Sequence, residues 1–200
     1  MSAIAAMRIS LVTVVALGAL ACSPSFGEAQ SKGETLFPAQ IESAIGDHTI
    51  KLVRTGSGLR KKGDFRVYAV ASYLEDGVKV QSARELAEID RAKQLHLVFM
   101  LRVSGDDLTQ AFRKIFRENH PEPAFSDELK TLLGLFQKGG ACNGDHVWIT
   151  HIPTVGLQCR CGKQEEILIK NVDFSRAVWD NDFGKSNAGE EVKRSLFAGK

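Results

Sequence analysis

Residues 95–103 (LHLVFMLRV) are apolar at almost every position. A strand of that composition must be covered on both faces, so it belongs in the middle of a sheet. An amphipathic helix follows it directly. Ser104 stands at the N-cap position with Asp107 three residues on, the spacing of a capping box. Leu108, Ala111, Phe112, Ile115 and Phe116 then recur at the i, i+3, i+4, i+7, i+8 spacing of one buried stripe. His120-Pro121-Glu122-Pro123 breaks that helix. Ser126 opens a second one, whose Leu129, Leu132, Leu133 and Phe136 form another stripe before Gly139-Gly140 stops it.

Around this centre the pattern is strand-rich. Residues 49–55 (TIKLVRT) read as a first strand, followed by a Gly-rich basic turn over 56–63. In the strand over 64–74, Phe65, Val67, Ala69, Ala71 and Tyr73 make an apolar face. Arg66, Tyr68, Val70, Ser72 and Leu74 make a mixed face, suited to a sheet side that lines a cavity or meets helices. A short helix is expected over 82–89, and three strands over 146–151, 157–161 and 165–170. Asp173 is expected to cap a helix carrying Phe174, Ala177, Val178 and Phe183, with Gly184 ending it and a last helix over 190–197. Strands, helices, strands, helices without βαβ alternation predict an α+β fold, a mainly antiparallel sheet with helices on one side.

Two hundred residues with 44% hydrophobic and 25% charged content suffice for one well-packed domain. The net charge of +2 is too small to point to nucleic acid or an anionic membrane, and no run approaches the ~20 apolar residues of a spanning helix. Arg8 precedes an apolar run from Ile9 to Ala21, the length of a signal-peptide core. The sequence therefore predicts a signal peptide over 1–21, cut after 21 or after 29, a linker over 22–40 and a domain over 41–200. Export to the periplasm or the medium follows. The segment also half-resembles a lipobox with Cys22 as the lipidated residue, although Ala19 and Leu20 fit its pattern poorly. Export permits disulfides, and three cysteines remain beyond the leader, so at least one is unpaired within the chain. Cys159 and Cys161 share a strand face, and whether either pairs with Cys142 is open. No CxxC…CxxC spacing is present, and His146 and His151 fall on opposite strand faces, so no metal or other cofactor is expected.

Three stretches carry a family resemblance: GSGLRKKGDFRVYAVASYLED, LRVSGDDLTQAFRKIFREN and VDFSRAVWDNDFGKSNAGEEVKRSLF. In this order they resemble the chalcone isomerase-like family, with its G-x-G-x-R…K-V-Y…Y-L segment, its central strand and helix, and its closing segment. The resemblance implies an open-faced sandwich, a large antiparallel sheet covered by helices with a ligand cleft between the layers. It implies two kinds of relative, plant enzymes that close chalcones to flavanones and non-catalytic members that bind fatty acids.

Arg60 matches the family's cleft arginine, which guides a phenolate in the enzymes and holds a carboxylate in the lipid binders. A guanidinium suits either role, being permanently charged with forked donors; the competing reading is a solvated basic turn with Lys61 and Lys62. Tyr68 matches the position of a Thr in the enzymes' water network, and it reads equally as a half-buried sheet tyrosine, while Tyr73 reads as core. Where the isomerases carry a Tyr and an Asn on the helix after the central strand, this chain has Leu108 and Ile115. Neither supplies a donor for the charge that develops in cyclisation, and no GxSxG, HExxH or Walker loop offers another chemistry. An apolar pocket of Leu108, Phe112 and Ile115 with Arg60 and Tyr68 at one end suits a fatty acid or similar amphipathic acid; filled solidly, the same residues are plain core. The function expected is non-catalytic binding. The alternatives are an isomerase or intramolecular lyase acting on a phenolic or enone substrate, and a structural envelope module. Mass spectrometry of the mature N-terminus is expected to find a chain starting at residue 22 or 30, a lipid mass on Cys22 marking the lipoprotein route and an intact leader contradicting export.

Overall fold

The computed structural model describes residues 36–45 and 48–197. The expected leader, both cut sites, Cys22 and most of the 22–40 linker lie outside these residues. No helix among the described residues is long and apolar enough to cross a membrane.

Seven strands form one sheet: β1 (Gln40–Ile45), β2 (His48–Lys62), β3 (Phe65–Glu75), β4 (Lys93–Phe99), β5 (His146–Ile152), β6 (Gly156–Cys161) and β7 (Ile167–Ile169). Their order across the sheet is their order in the chain, and every neighbouring pair is antiparallel. The helices are α1 (Ala83–Glu88), α2 (Gly105–Asn119), α3 (Ser126–Gly139), α4 (Val172–Phe183) and α5 (Glu190–Leu196). This is the expected α+β architecture, a curled antiparallel sheet with a helical layer.

Both sheet faces are buried around β3. Val70 and Leu74 join Leu95, Phe99, Ile149 and the inward side chains of α3 and α4 in the main core. The alternate positions Ala69, Ala71 and Tyr73 join Phe37, Leu52 and Val98 in a second core on the opposite face. Phe37 belongs to the segment before β1, which crosses this face and is tied down by the Tyr73 hydroxyl donating to the Pro38 carbonyl at 3.1 Å. The mixed face of the β3 sequence is thus the one that meets the helices, while Phe65, assigned to the apolar face, projects into solvent.

Several sequence expectations change. β1 was not foreseen, because its alternation is short and polar-rich. The expected turn over 56–63 is instead the second half of β2, and the chain reverses only at Gly63 and Asp64. The glycines serve close approach rather than turning: a Cβ on Gly56 would lie 2.1 Å from the Ser195 carbonyl oxygen, so α5 rests on the bare β2 backbone. Ser104 caps α2 as expected, accepting from the Asp107 amide at 3.1 Å. The expected stripe on α2 is only partly closed: Phe116 is fully buried, Leu108, Phe112 and Ile115 are half-buried, and Ala111 is exposed. The cap of α4 is Asn171, not Asp173, since the Asn171 side chain accepts from the Phe174 amide. Cys142, Cys159 and Cys161 are free thiols, the last two buried against the helices and the first exposed.

The least expected core residue is Lys93. It is completely buried on β4. Its Nζ donates to the Leu86 carbonyl at 2.8 Å and to the Ala87 carbonyl, and sits 4.8 Å from the Trp179 ring centroid. α1 has no basic residue in its last turn, so this strand lysine satisfies carbonyls that the helix leaves open. Burial pushes its pKa down to about 7, with Arg176 adding to the effect and Asp90, Asp180 and Glu88 opposing it. An unfolded lysine keeps its proton to about pH 10.4, so between these values the unfolded state binds more protons and Lys93's contribution to stability rises with pH. Urea unfolding of wild type and Lys93→Met across pH 7–10 is expected to show the stability difference moving in favour of wild type as pH rises. A difference independent of pH would contradict the buried, proton-losing lysine.

Candidate ligand-binding site

Arg60 and Tyr68 are direct cross-strand partners in the β2–β3 ladder, so their side chains leave the sheet on the same side. Tyr68 alternates with Val70 and Ser72 on the helix-facing side and packs on Phe99 with ring centroids 5.5 Å apart. The ladder slips one residue between Arg60 and Lys61. Such an irregularity re-aims the side chains beside it, and beyond it Lys61 and Lys62 are exposed while Arg60 is half-buried. The Arg60 Nη1 lies against the loop before α5, where a Cβ on Gly189 would come within 2.8 Å of it. Arg60 is therefore a strand residue tucked under the C-terminal segment, not part of a solvated turn.

Asp182 lies on α4, and its charge acts on both Tyr68 and Arg60. Burial pushes the Asp182 carboxyl up to about 7, against the opposing pull of the Arg60 charge. Burial, and then the Asp182 charge, push the Tyr68 phenol well above its usual range, with Arg60 pulling the other way. Tyr68 is consequently a neutral hydrogen-bond donor at any working pH, not a phenolate base. Among the described residues no hydrogen bond or ion pair engages the Arg60, Tyr68 or Asp182 side chains. All three nevertheless keep accessible surface while lying within the fold. Sequence reasoning missed Asp182. The signal was its place four residues after Val178 and eight after Phe174, which puts an acid on an apolar stripe.

The apolar residues expected around this anchor divide. Leu108 and Phe112 pack, half-buried, on the same large core cluster as Tyr68, and the Phe112 ring lies tilted against Phe136 with centroids 5.4 Å apart. Ile115 is half-buried on α2 but stands outside that cluster. The cluster offers one permanent cation, one neutral donor and one carboxyl beside apolar surface. It can hold a polar head group.

Other chemistry-bearing groups lie elsewhere. Ser175 Oγ is 2.8 Å from His151 Nδ1, and His151 Nε2 is 2.9 Å from Asp90 Oδ1. The order is that of a hydrolytic triad, yet Ser175 and His151 are completely buried, so no substrate reaches them. Burial, with the Lys93 charge, lowers the His151 pKa to about 4, against the pull of Asp90, and the neutral imidazole tethers β5 to α4 through Ser175. No group of three or more metal-ligating side chains is present among the described residues. A groove of about 440 Å³ runs between α2 and α3 past Arg113, Arg117, Leu129 and Lys130. It is an open surface furrow whose lining does not include Arg60 or Tyr68. Arg60 and Tyr68 make the stronger candidate on chemical grounds, because they are cross-strand neighbours whose side chains have no protein partner among the described residues.

The comparisons with known proteins bear on the fold and the family. No curated protein matches the chain by sequence, whereas 38 solved chains match it by structure. One is the crystal structure of a fatty-acid binding protein from Arabidopsis thaliana, 17% identical, with a TM-score of 0.58 over 80% of this chain and 90% of that one. At that identity the likeness establishes the fold. The profile of the chalcone isomerase-like family matches residues 32–198, so the chain belongs to the chalcone isomerase-like family.

Proposed function

We propose that this protein binds a fatty acid or similar amphipathic acid without transforming it, holding the acid group at Arg60. The observation that carries this reading is the enclosed pairing of Arg60 with Tyr68, two donors on one side of the sheet with no partner among the described residues. A forked, permanently charged guanidinium beside a neutral phenol is a carboxylate clamp. Leu108 and Phe112, half-buried on the same large helix-side core as Tyr68, are the apolar surface assigned to the chain in this reading, and each methylene an acyl chain buries contributes ~0.8 kcal/mol. The solved plant relative, a fatty-acid binding protein, supports the same ligand class.

Catalysis of the chalcone reaction fits less well. It needs donors poised for developing charge, and the α2 positions that resemble the enzymes' polar pair are Leu108 and Ile115. Export to the periplasm or the medium is part of the proposal and rests on the sequence of residues 1–29 alone.

A titration with a fluorescent fatty acid tests this reading. Wild type is expected to bind saturably, and Arg60→Ala to weaken binding by roughly 2–5 kcal/mol, the loss of a buried charge partner. Arg113→Ala, in the α2–α3 groove, is expected to bind like wild type. Binding indifferent to Arg60, or absent in wild type, would contradict the anchor. Absorbance-monitored loss of a chalcone, abolished by Arg60→Ala, would favour an enzyme instead.

A further inference from the structure

Beyond the rung that pairs Arg60 with Tyr68, the β2–β3 hairpin carries an unbroken run of exposed residues over 61–66. The chain reverses at Gly63, where φ is +59° and nothing lies within 4 Å of an added Cβ, so the tip stands clear of the rest of the fold. Phe65 is 71% exposed there, the most exposed large hydrophobic side chain among the described residues. The register sets Lys62 opposite Phe65 and Lys61 opposite Arg66. Two cations thus face each other directly across the ladder, an arrangement that costs a sheet stability. We propose that this tip docks on an anionic lipid surface, with Phe65 entering the head-group layer and Lys61, Lys62 and Arg66 meeting the lipid phosphates.

The chemistry of the tip is that of an interfacial anchor, an apolar side chain ringed by cations. Met100 adjoins it: its amide donates to the Val67 carbonyl at 2.9 Å, and its side chain is 36% exposed. Arg102, two residues on, is exposed as well. None of the ion pairs among the described residues involves Lys61, Lys62, Arg66 or Arg102. Asp64 is the one acid within the tip. Asp145, in the loop beside Phe99, already accepts from the Cys142 amide at 2.7 Å. The net charge of +2 conceals this surface, because it averages over the chain what residues 61–66 gather in one place.

A stable protein–protein interface takes roughly 20–30 residues a side, far more than a hairpin tip presents. A lipid surface asks only for a small projecting anchor. Arg60 and Tyr68 are the next rung inward, so docking would bring them towards a surface in which amphipathic acids dissolve. That last link rests on the acid-binding reading of the site, whereas the docking itself does not.

Co-sedimentation of the full chain with vesicles tests the docking, using phosphatidylglycerol and phosphatidylcholine in equal parts beside phosphatidylcholine alone. Wild type is expected to bind the mixed vesicles more tightly than the neutral ones, with the advantage shrinking as salt is raised. Replacing both lysines (Lys61→Gln with Lys62→Gln) is expected to weaken binding to mixed vesicles roughly thirty-fold, and Phe65→Ser about tenfold. Arg113→Ala, in the α2–α3 groove, is expected to bind like wild type. Because the apolar run over 9–21 can itself enter a bilayer, a second measurement locates the contact. Phe65→Trp is expected to add emission that brominated phosphatidylcholine in the mixed vesicles quenches. Binding to neither vesicle would overturn the docking, as would tip variants that bind like wild type with the Phe65→Trp emission unquenched. Either result leaves the fatty-acid titration free to succeed. Failure of that titration with the docking intact would overturn the acid-binding reading alone.

Discussion

The contact on which the candidate site depends is the seating of α5 on the bare backbone of β2. Gly56 and Gly58 leave no side chain there, and a Cβ at Gly58 would fall 2.0 Å from Ser195 Oγ. Thr55 fastens the same place by donating to the Leu196 carbonyl at 3.0 Å, and Val192 and Leu196 are buried beneath the helix. Because α5 lies so close, the loop before it passes over Arg60. A charged residue near the end of a long strand thereby becomes an enclosed one. Without that approach Arg60 would be another solvated cation beside Lys61 and Lys62.

Enclosure is what gives the polar trio its meaning. The main core joins β3 to β6 with the helices, and the second core, under Phe37 and β1, supports the sheet from behind. Polar groups inside this frame are mostly committed to structure: Lys93 to the end of α1, His151 to Ser175 and Asp90, Gln94 to Thr150 at 2.8 Å. Arg60, Tyr68 and Asp182 are not so committed among the described residues. Half-buried and with no protein partner among the described residues, the Arg60 and Tyr68 side chains are the pair proposed above to meet a head group.

How much of this the sequence reveals depends on whether a residue's role is local or tertiary. The apolar run over 95–103 and the Ser104 cap are local signals, and a central β4 and the α2 start follow from them, although β4 ends at Phe99. The second half of β2 was unreadable because glycine argues for a turn by propensity, and only the docking of a helix over 130 residues away explains it. The α2 stripe was legible in spacing but not in depth: Leu108 and Ile115 match the pattern of Phe116 yet remain half-buried. Arg60 and Tyr68 were visible through the family resemblance, and their pairing emerged from the ladder register. Asp182 looked like one acid in an acidic stretch, although its spacing places it on the stripe of Phe174 and Val178.

The account's central claim is that an acid group sits between Arg60 and Tyr68. A crystal structure of the chain with a long-chain fatty acid tests it most directly. The account predicts the carboxyl group within hydrogen-bonding distance of the Arg60 guanidinium and the Tyr68 hydroxyl, with the acyl chain running along Leu108 and Phe112. A fatty acid lying instead in the α2–α3 groove beside Arg113 and Lys130, with Arg60 and Tyr68 untouched, would contradict it.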